Sequence, residues 1–319
     1  MTASICEHVE QICQAMRSSL ALCPDEPPGF RALAGAVLDE HTSRLRRRAR
    51  GPHPPWLVLP ILVYEAAGGK DRLQPTYHVA AAWELGNMAA AQLDAWQDQD
   101  TDGALWRQTG ARRAVNLSVG LIGLSFRTLA DLEKAGLLSA SVVVELQQRF
   151  ADTLLHMVAG QHADLGDDLN LEDYQAVAVA KTGSLFRLGG WSGAAVAGAS
   201  ADVAEQYGVF GEALGLLIQA WNDLYGLEGA LGKQDVGHQR SLPILAALAM
   251  AGDSGAPGET LVGSAEGEGG RLYALVQAEL LHQQAVDALA LCPAPGRLSL
   301  FLESYSTGQL LAGGKKQGG

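Results

Sequence analysis

The sequence is poor in the residues that mark a stapled, zinc-bound or membrane-spanning chain. Its 319 residues include four cysteines, Cys6, Cys13, Cys23 and Cys292. None has CxxC or Cys/His ligand spacing, which argues against a zinc site or a disulfide framework and fits a reducing, cytoplasmic compartment. Positive charge is scarce: 23 Lys and Arg face 35 Asp and Glu, a formal net charge of -12, so no nucleic-acid partner is expected. The only basic run, Arg44 to Arg50, is either an anion-binding patch or a solvated helix end. Aromatics make up only 6% of the chain. Ile and Thr are few beside Ala, Leu and Gln, which is the bias of helices rather than strands. Acidic Glu7 and Glu10 interrupt the N-terminus where a signal peptide would be apolar. No run approaches the roughly 18 apolar residues of a span, so no integral membrane segment is expected.

What is present is helical periodicity broken by Pro and Gly. The breaks at Cys23–Pro28 and Gly51–Pro55, and the pair Gly68 and Gly69, separate the first three helices. Further helices are expected from Pro75 to about Asp100, Arg112 to Ala135, Ser139 to Ala163, from Leu171 onward, and from Ala201 to about Leu231. Gly189, Gly190 and Gly193 should loosen the segment after Phe186. Residues 252–270, rich in Gly, Ser and Glu, read as a mobile loop, and 313–319 as a disordered tail. The expected architecture is all-α: roughly ten helices in one domain, residues 1–312, a single large bundle around a central cavity.

Three segments carry chemistry. In the first, Asp94 and Asp98 stand one helical turn apart, with Asp102 a turn further. Their mutual repulsion is relieved either by solvent or by a hard divalent cation with oxygen ligands. In the second, Gln219, Asn222 and Asp223 interrupt an apolar helix from Ala213 to Leu227, where polar groups need partners. Lys233 and Arg240 follow. The third runs Gly160-Gln161-His-Ala-Asp164, then Tyr174, then Lys181-Thr-Gly-Ser-Leu185-Phe186. Lys181 lies between apolar stretches, where a diphosphate oxygen is a natural counter-charge. Trp96 and Trp221 point away from the faces of the neighbouring acids and read as packing residues.

Together, in this order, the segments resemble the polyprenyl synthetase (trans-isoprenyl diphosphate synthase) family, with its ELxHxxSLxHDDxxDxD, GQxxDL, KTxxLF and QxxDDxxDxxG segments and the GK and TLP that follow. The resemblance covers about Leu57 to Leu248. It implies the isoprenoid synthase fold, a homodimer, and Mg²⁺ ions bound between two acidic motifs to hold an allylic prenyl diphosphate. On that correspondence Asp94, Asp98, Asn222 and Asp223 would hold metal, and Gln161, Lys181, Gln219, Lys233 and Arg240 would contact diphosphate. Asp94, Asp98, Asp223 and Lys181 would carry the chemistry. Asn87, Ala90, Ala91, Leu185 and Phe186 would line the prenyl pocket. The small Ala90 and Ala91, on the face of Asp94, imply depth for a chain of about fifteen to twenty carbons.

The departures are as informative. Ala95 and Gly226 replace two acids of the motifs, and Asn222 a third. The second diphosphate site of the family, a GGKRxRP segment, a histidine and an RRG, is here Arg50-Gly-Pro-His53-Pro-Pro55, Asn87 and nothing recognisable. The leading expectation is an Mg²⁺-dependent enzyme that ionises one prenyl diphosphate and cyclises it or transfers it to a non-isopentenyl acceptor. The alternatives are a conventional elongating synthase, its acceptor held by Arg47, Arg48, Arg50, His53, Arg112 or Arg113, and a non-catalytic partner subunit.

Overall fold

A computed structural model of the protein describes residues 2–24, 26, 28–51, 53–70, 73–99, 105–166, 169–227, 240–252 and 264–308. Every regular element among them is helical. The helices are α1 (Thr2–Ser19), α2 (Phe30–Arg48), α3 (Leu59–Ala66), α4 (Leu73–Gln97), α5 (Leu105–Thr109), α6 (Ala111–Lys134), α7 (Ala140–Asp164), α8 (Leu171–Ala178), α9 (Ser184–Val196), α10 (Ala201–Leu227), α11 (Leu242–Ala251), α12 (Ala265–Ala290) and α13 (Gly296–Glu303). These are more than the ten expected, because short helices such as α5 and α13 carry too few turns to show a period.

Local chemistry sets the boundaries. Asn170 caps α8 by accepting from Glu172 N and Asp173 N, and Pro60 sits in the first turn of α3, where no amide hydrogen is missed. The loop expected over 252–270 does not extend past 264: Ser264 accepts from Gly267 N and starts α12 at Ala265. Glu266 and Glu268 then lie in the first turn, where the helix dipole favours acids. The tail 313–319 and the range 253–263 lie outside the described residues.

The glycines after Phe186 do not loosen the chain; α9 runs unbroken through them. They let helices touch backbone to backbone. A Cβ on Gly190 would lie 2.2 Å from the Tyr207 carbonyl oxygen of α10, and one on Gly193 2.3 Å from that of Pro60 in α3. Trp83 of α4 closes the same layer, donating its indole N–H to the Leu185 carbonyl at 2.8 Å. The core so formed holds α4, α6, α9 and α10 together.

Among the described residues one helix, α6, is long and apolar enough to cross a membrane by length and composition. Here Leu117, Leu121 and Leu124 are buried, α6 packs on α4, and Arg112 and Arg113 are exposed. The basic run Arg44 to Arg50 lies at the end of α2. Within it Arg44 pairs with Glu40, Arg46 pairs with Glu10, and Arg48 lies 4.4 Å over the Trp56 ring. Trp221 is buried as expected of a packing residue, but Trp96 is 38% exposed.

Candidate active site

A cleft opens between α4, α7, α9 and α10, and its two parts share Trp56, Asn87, Ala91, Asp94, Lys181, Thr182, Gln219 and Asn222. The inner part, about 380 Å³, is apolar and lined by Ala90, Ile122, Met157, Leu185, Phe186 and Ile218. The outer part, about 450 Å³, is the more polar of the two and carries Asp98, Asp164, Tyr174, Asp223 and Arg240. A long apolar chain with an anionic head matches that division of surface.

Asp94 stands in the last turn of α4. Asp98 follows the helix end, yet its amide still bonds the Asp94 carbonyl at 2.8 Å, so the two remain one turn apart on the cleft wall. Lys181 Nζ bridges two elements, 2.8 Å from Asp94 Oδ1 and 2.6 Å from Asp164 Oδ2. Burial alone disfavours its charge, but the two carboxylates outweigh burial and hold its pKa above the usual lysine value. Lys181 and Thr182 lie in a π-helical turn, Val179–Gly183, between α8 and α9. Such wide turns recur at functional sites because they re-aim side chains. Gly160 of α7 makes room for this one: a Cβ there would meet Lys181 N at 2.9 Å.

Asp223 faces a different set of partners. Its Oδ1 accepts from Gln219 Nε2 at 2.7 Å, and its Oδ2 from the Tyr174 hydroxyl at 2.6 Å and Leu242 N at 2.8 Å. It therefore caps α11 and ties α8 to α10. Burial, then the Asp223 carboxylate, push the Tyr174 pKa well above the ordinary tyrosine value, so it remains a donor. Gln219 in turn accepts from Thr182 at 2.9 Å. Arg240 donates to the Asp164 carbonyl.

All five prenyl-pocket candidates, Asn87, Ala90, Ala91, Leu185 and Phe186, line the inner part, as does Gln161. The other site candidates line the outer part, except Lys233, which lies outside the described residues. Trp56, Thr182 and Tyr174 were not among the sequence candidates for the site. Trp56 gave no signal inside an apolar run, whereas Thr182 stands beside Lys181 in the third segment and matches the KT pair of the family. Tyr174 stands in that segment too, two helical turns before Lys181, but its role as a donor to Asp223 needs the tertiary fold.

Among the described residues no three Asp, Glu, His or Cys side chains gather into a closed metal cage. Mg²⁺ rarely needs one, taking one or two carboxylates and completing its shell with substrate phosphate and water. Asp94 and Asp98 provide such hard oxygens from one wall, and Asn222, exposed on α10, an amide oxygen from the other. The donor set fits a hard divalent cation.

Residues 61–271 match the family described as polyprenyl synthetase, more than half of the chain. The chain belongs to the polyprenyl synthetase family. A polyprenyl synthetase is a prenyl-transferring enzyme, and solved structures of the same fold surround this chain. It is similar to a polyprenyl synthetase from Streptomyces coelicolor A3(2), with 22% identity, 96% of this chain and 98% of that one covered, and a TM-score of 0.74. It is also similar to a geranylgeranyl pyrophosphate synthetase from the archaeon Geoglobus acetivorans, with 19% identity, 99% and 98% covered, TM-score 0.76. A decaprenyl diphosphate synthase from Rhodobacter capsulatus shares 16% identity, with 98% and 99% covered and a TM-score of 0.74. No curated protein sequence matches the chain. At these identities the structures speak for the all-α fold of the polyprenyl synthetases and not for a particular substrate.

Proposed function

We propose that this polyprenyl synthetase binds one allylic prenyl diphosphate and ionises it. The resulting chain then closes on itself or passes to an acceptor other than isopentenyl diphosphate. One observation carries the reading: among the described residues, the Lys and Arg side chains lining the cleft are Lys181 and Arg240. Two diphosphates need more positive charge than that. Two of the groups considered for a second one are engaged, and the position of the family's histidine is neutral. His53 Nδ1 bonds the Ser304 carbonyl at 2.8 Å, Arg48 stacks on Trp56, and the place of the histidine is Asn87.

Asp94 and Asp98, with Asn222 opposite, would hold Mg²⁺, whose charge stabilises a leaving diphosphate. Lys181 exchanges Asp94 for a phosphate oxygen and remains fixed by Asp164. Arg240 and Gln161 orient the head group, and Ala90, Ala91, Leu185 and Phe186 hold the chain away from water, without which an allylic cation is captured. Asp223 takes part by fixing Gln219 and the start of α11 rather than through a free carboxylate. The exposed apolar row Val144, Leu155 and Val158 along α7 supports a homodimer, and the four free thiols support a cytoplasmic location.

The names of the solved relatives favour a second reading, chain elongation, and one experiment separates the two. Farnesyl and geranylgeranyl diphosphates are incubated with Mg²⁺, with and without labelled isopentenyl diphosphate. Pyrophosphate release that a chelator abolishes, with no label in longer products, is the expected result. Label in a longer prenyl diphosphate would make the protein an elongating synthase.

A further inference from the structure

The Asn87 side chain, which lines both parts of the cleft, is held in one orientation by a buried acid. Glu84, on α4 one turn before Asn87, is 1% exposed and takes a hydrogen bond from His41 Nε2 at 2.8 Å. A carboxylate accepts only, so Asn87 must offer it the NH₂ end of its amide, and Nδ2 lies 3.4 Å from each Glu84 oxygen. The amide is planar, which turns the carbonyl Oδ1 away from Glu84, on a residue that lines both parts of the cleft. Two further amides of the inner part are unmatched among the described residues. Both polar atoms of Gln161, and Oε1 of Gln97, are buried without a hydrogen-bond partner. Beside the charged pair Asp94 and Lys181, the inner cleft thus presents neutral amides, with unmatched acceptors on Gln97 and Gln161 and one unmatched donor, Gln161 Nε2. A hydroxyl or N–H group finds acceptors there, whereas a second diphosphate, itself acceptor-only, would have to share Lys181 with the first.

We propose that Asn87, oriented by Glu84, selects a neutral acceptor substrate bearing an O–H or N–H group, which donates its hydrogen bond to the Asn87 carbonyl. This rests on the one-diphosphate reading above. In the transfer, the C1–O bond of the prenyl diphosphate breaks and its electron pair leaves with the diphosphate. A lone pair or ring carbon of the acceptor forms the new bond at C1. The acceptor's proton goes to the released diphosphate, because an amide carbonyl orients a donor and is too weak a base to take its proton. Asn87 is thus a specificity residue, and Glu84 a positioning residue.

Equilibrium dialysis of the full chain with two matched probe pairs, phenol against anisole and indole against N-methylindole, isolates the single donor hydrogen. The wild type should prefer the donor member of at least one pair by about tenfold, the worth of one well-made hydrogen bond. Asn87→Leu and the smaller Asn87→Ala should each bring that ratio to about one. Glu84→Gln, whose amide meets Asn87 either way round, should lower the ratio while anisole or N-methylindole binds as before. Equal binding of both members of both pairs by the wild type, or a ratio that survives in Asn87→Ala, would overturn the inference. The one-diphosphate reading stands or falls separately, on label from isopentenyl diphosphate.

Discussion

Replacing Asp223 by alanine should unfold the protein more readily than replacing Asp94, although both are acids of the motifs. Asp223 is 8% exposed, and its carboxylate accepts from the Tyr174 hydroxyl, Gln219 Nε2 and Leu242 N, all within 2.8 Å. Hydrogen bonds to a charged group contribute about 1.5–3 kcal/mol each, and buried donors left unpaired cost about 1–3 kcal/mol. The three share one acceptor and do not add, so Asp223→Ala should lose about 3 kcal/mol. The Asp94 side chain is 33% exposed and its partner Lys181 keeps Asp164, so Asp94→Ala should change stability by about 1 kcal/mol or less. Asp223→Asn should fall between, since its carbonyl still serves Tyr174 and Leu242 and only the Gln219 contact must turn. Urea unfolding followed by far-UV circular dichroism gives the order directly. If Asp223→Ala and Asp94→Ala unfold at the same midpoint, the assignment of Asp223 as an anchor for α8, α10 and α11 is wrong. The result also decides how activity loss is read: inactivity of Asp223→Ala alone does not show that Asp223 binds metal.

Two further tests bear on the cleft and the scaffold. Ala90→Phe puts a ring into the inner part while leaving the carboxylates untouched, so competition between prenyl diphosphates of different length should shift toward the shorter ones; a folded variant with unchanged preference would place the chain elsewhere. Gly190→Ala should cost roughly 1–3 kcal/mol in the same urea assay, because its Cβ would fall 2.2 Å from the Tyr207 carbonyl oxygen, and a variant as stable as wild type would mean that α9 and α10 separate freely.

Much was legible in the sequence because it is encoded between near neighbours. Helix formers, Pro and Gly breaks and capping residues such as Asn170 and Ser139 act within a turn or two, so the all-α class followed from periodicity. The spacing of Asp94 and Asp98 survived the helix end between them, because the backbone bond of Asp98 to Asp94 keeps the turn. What the sequence left undecided depends on which helices dock. Gly189, Gly190 and Gly193 read as flexibility in one dimension and are close-packing points in three, since only the presence of Trp83, Tyr207 and Pro60 opposite reveals the lack of space. Asp223 looked equivalent to Asp94 until Tyr174, 49 residues away, and Leu242, 19 residues away, were brought to its oxygens. Asn87 read as a lost histidine, and its orientation followed only when α2 brought His41, 43 residues from Glu84, beside the buried acid. A residue's type and period are local properties, whereas the partner that saturates or turns a polar group arrives by tertiary packing.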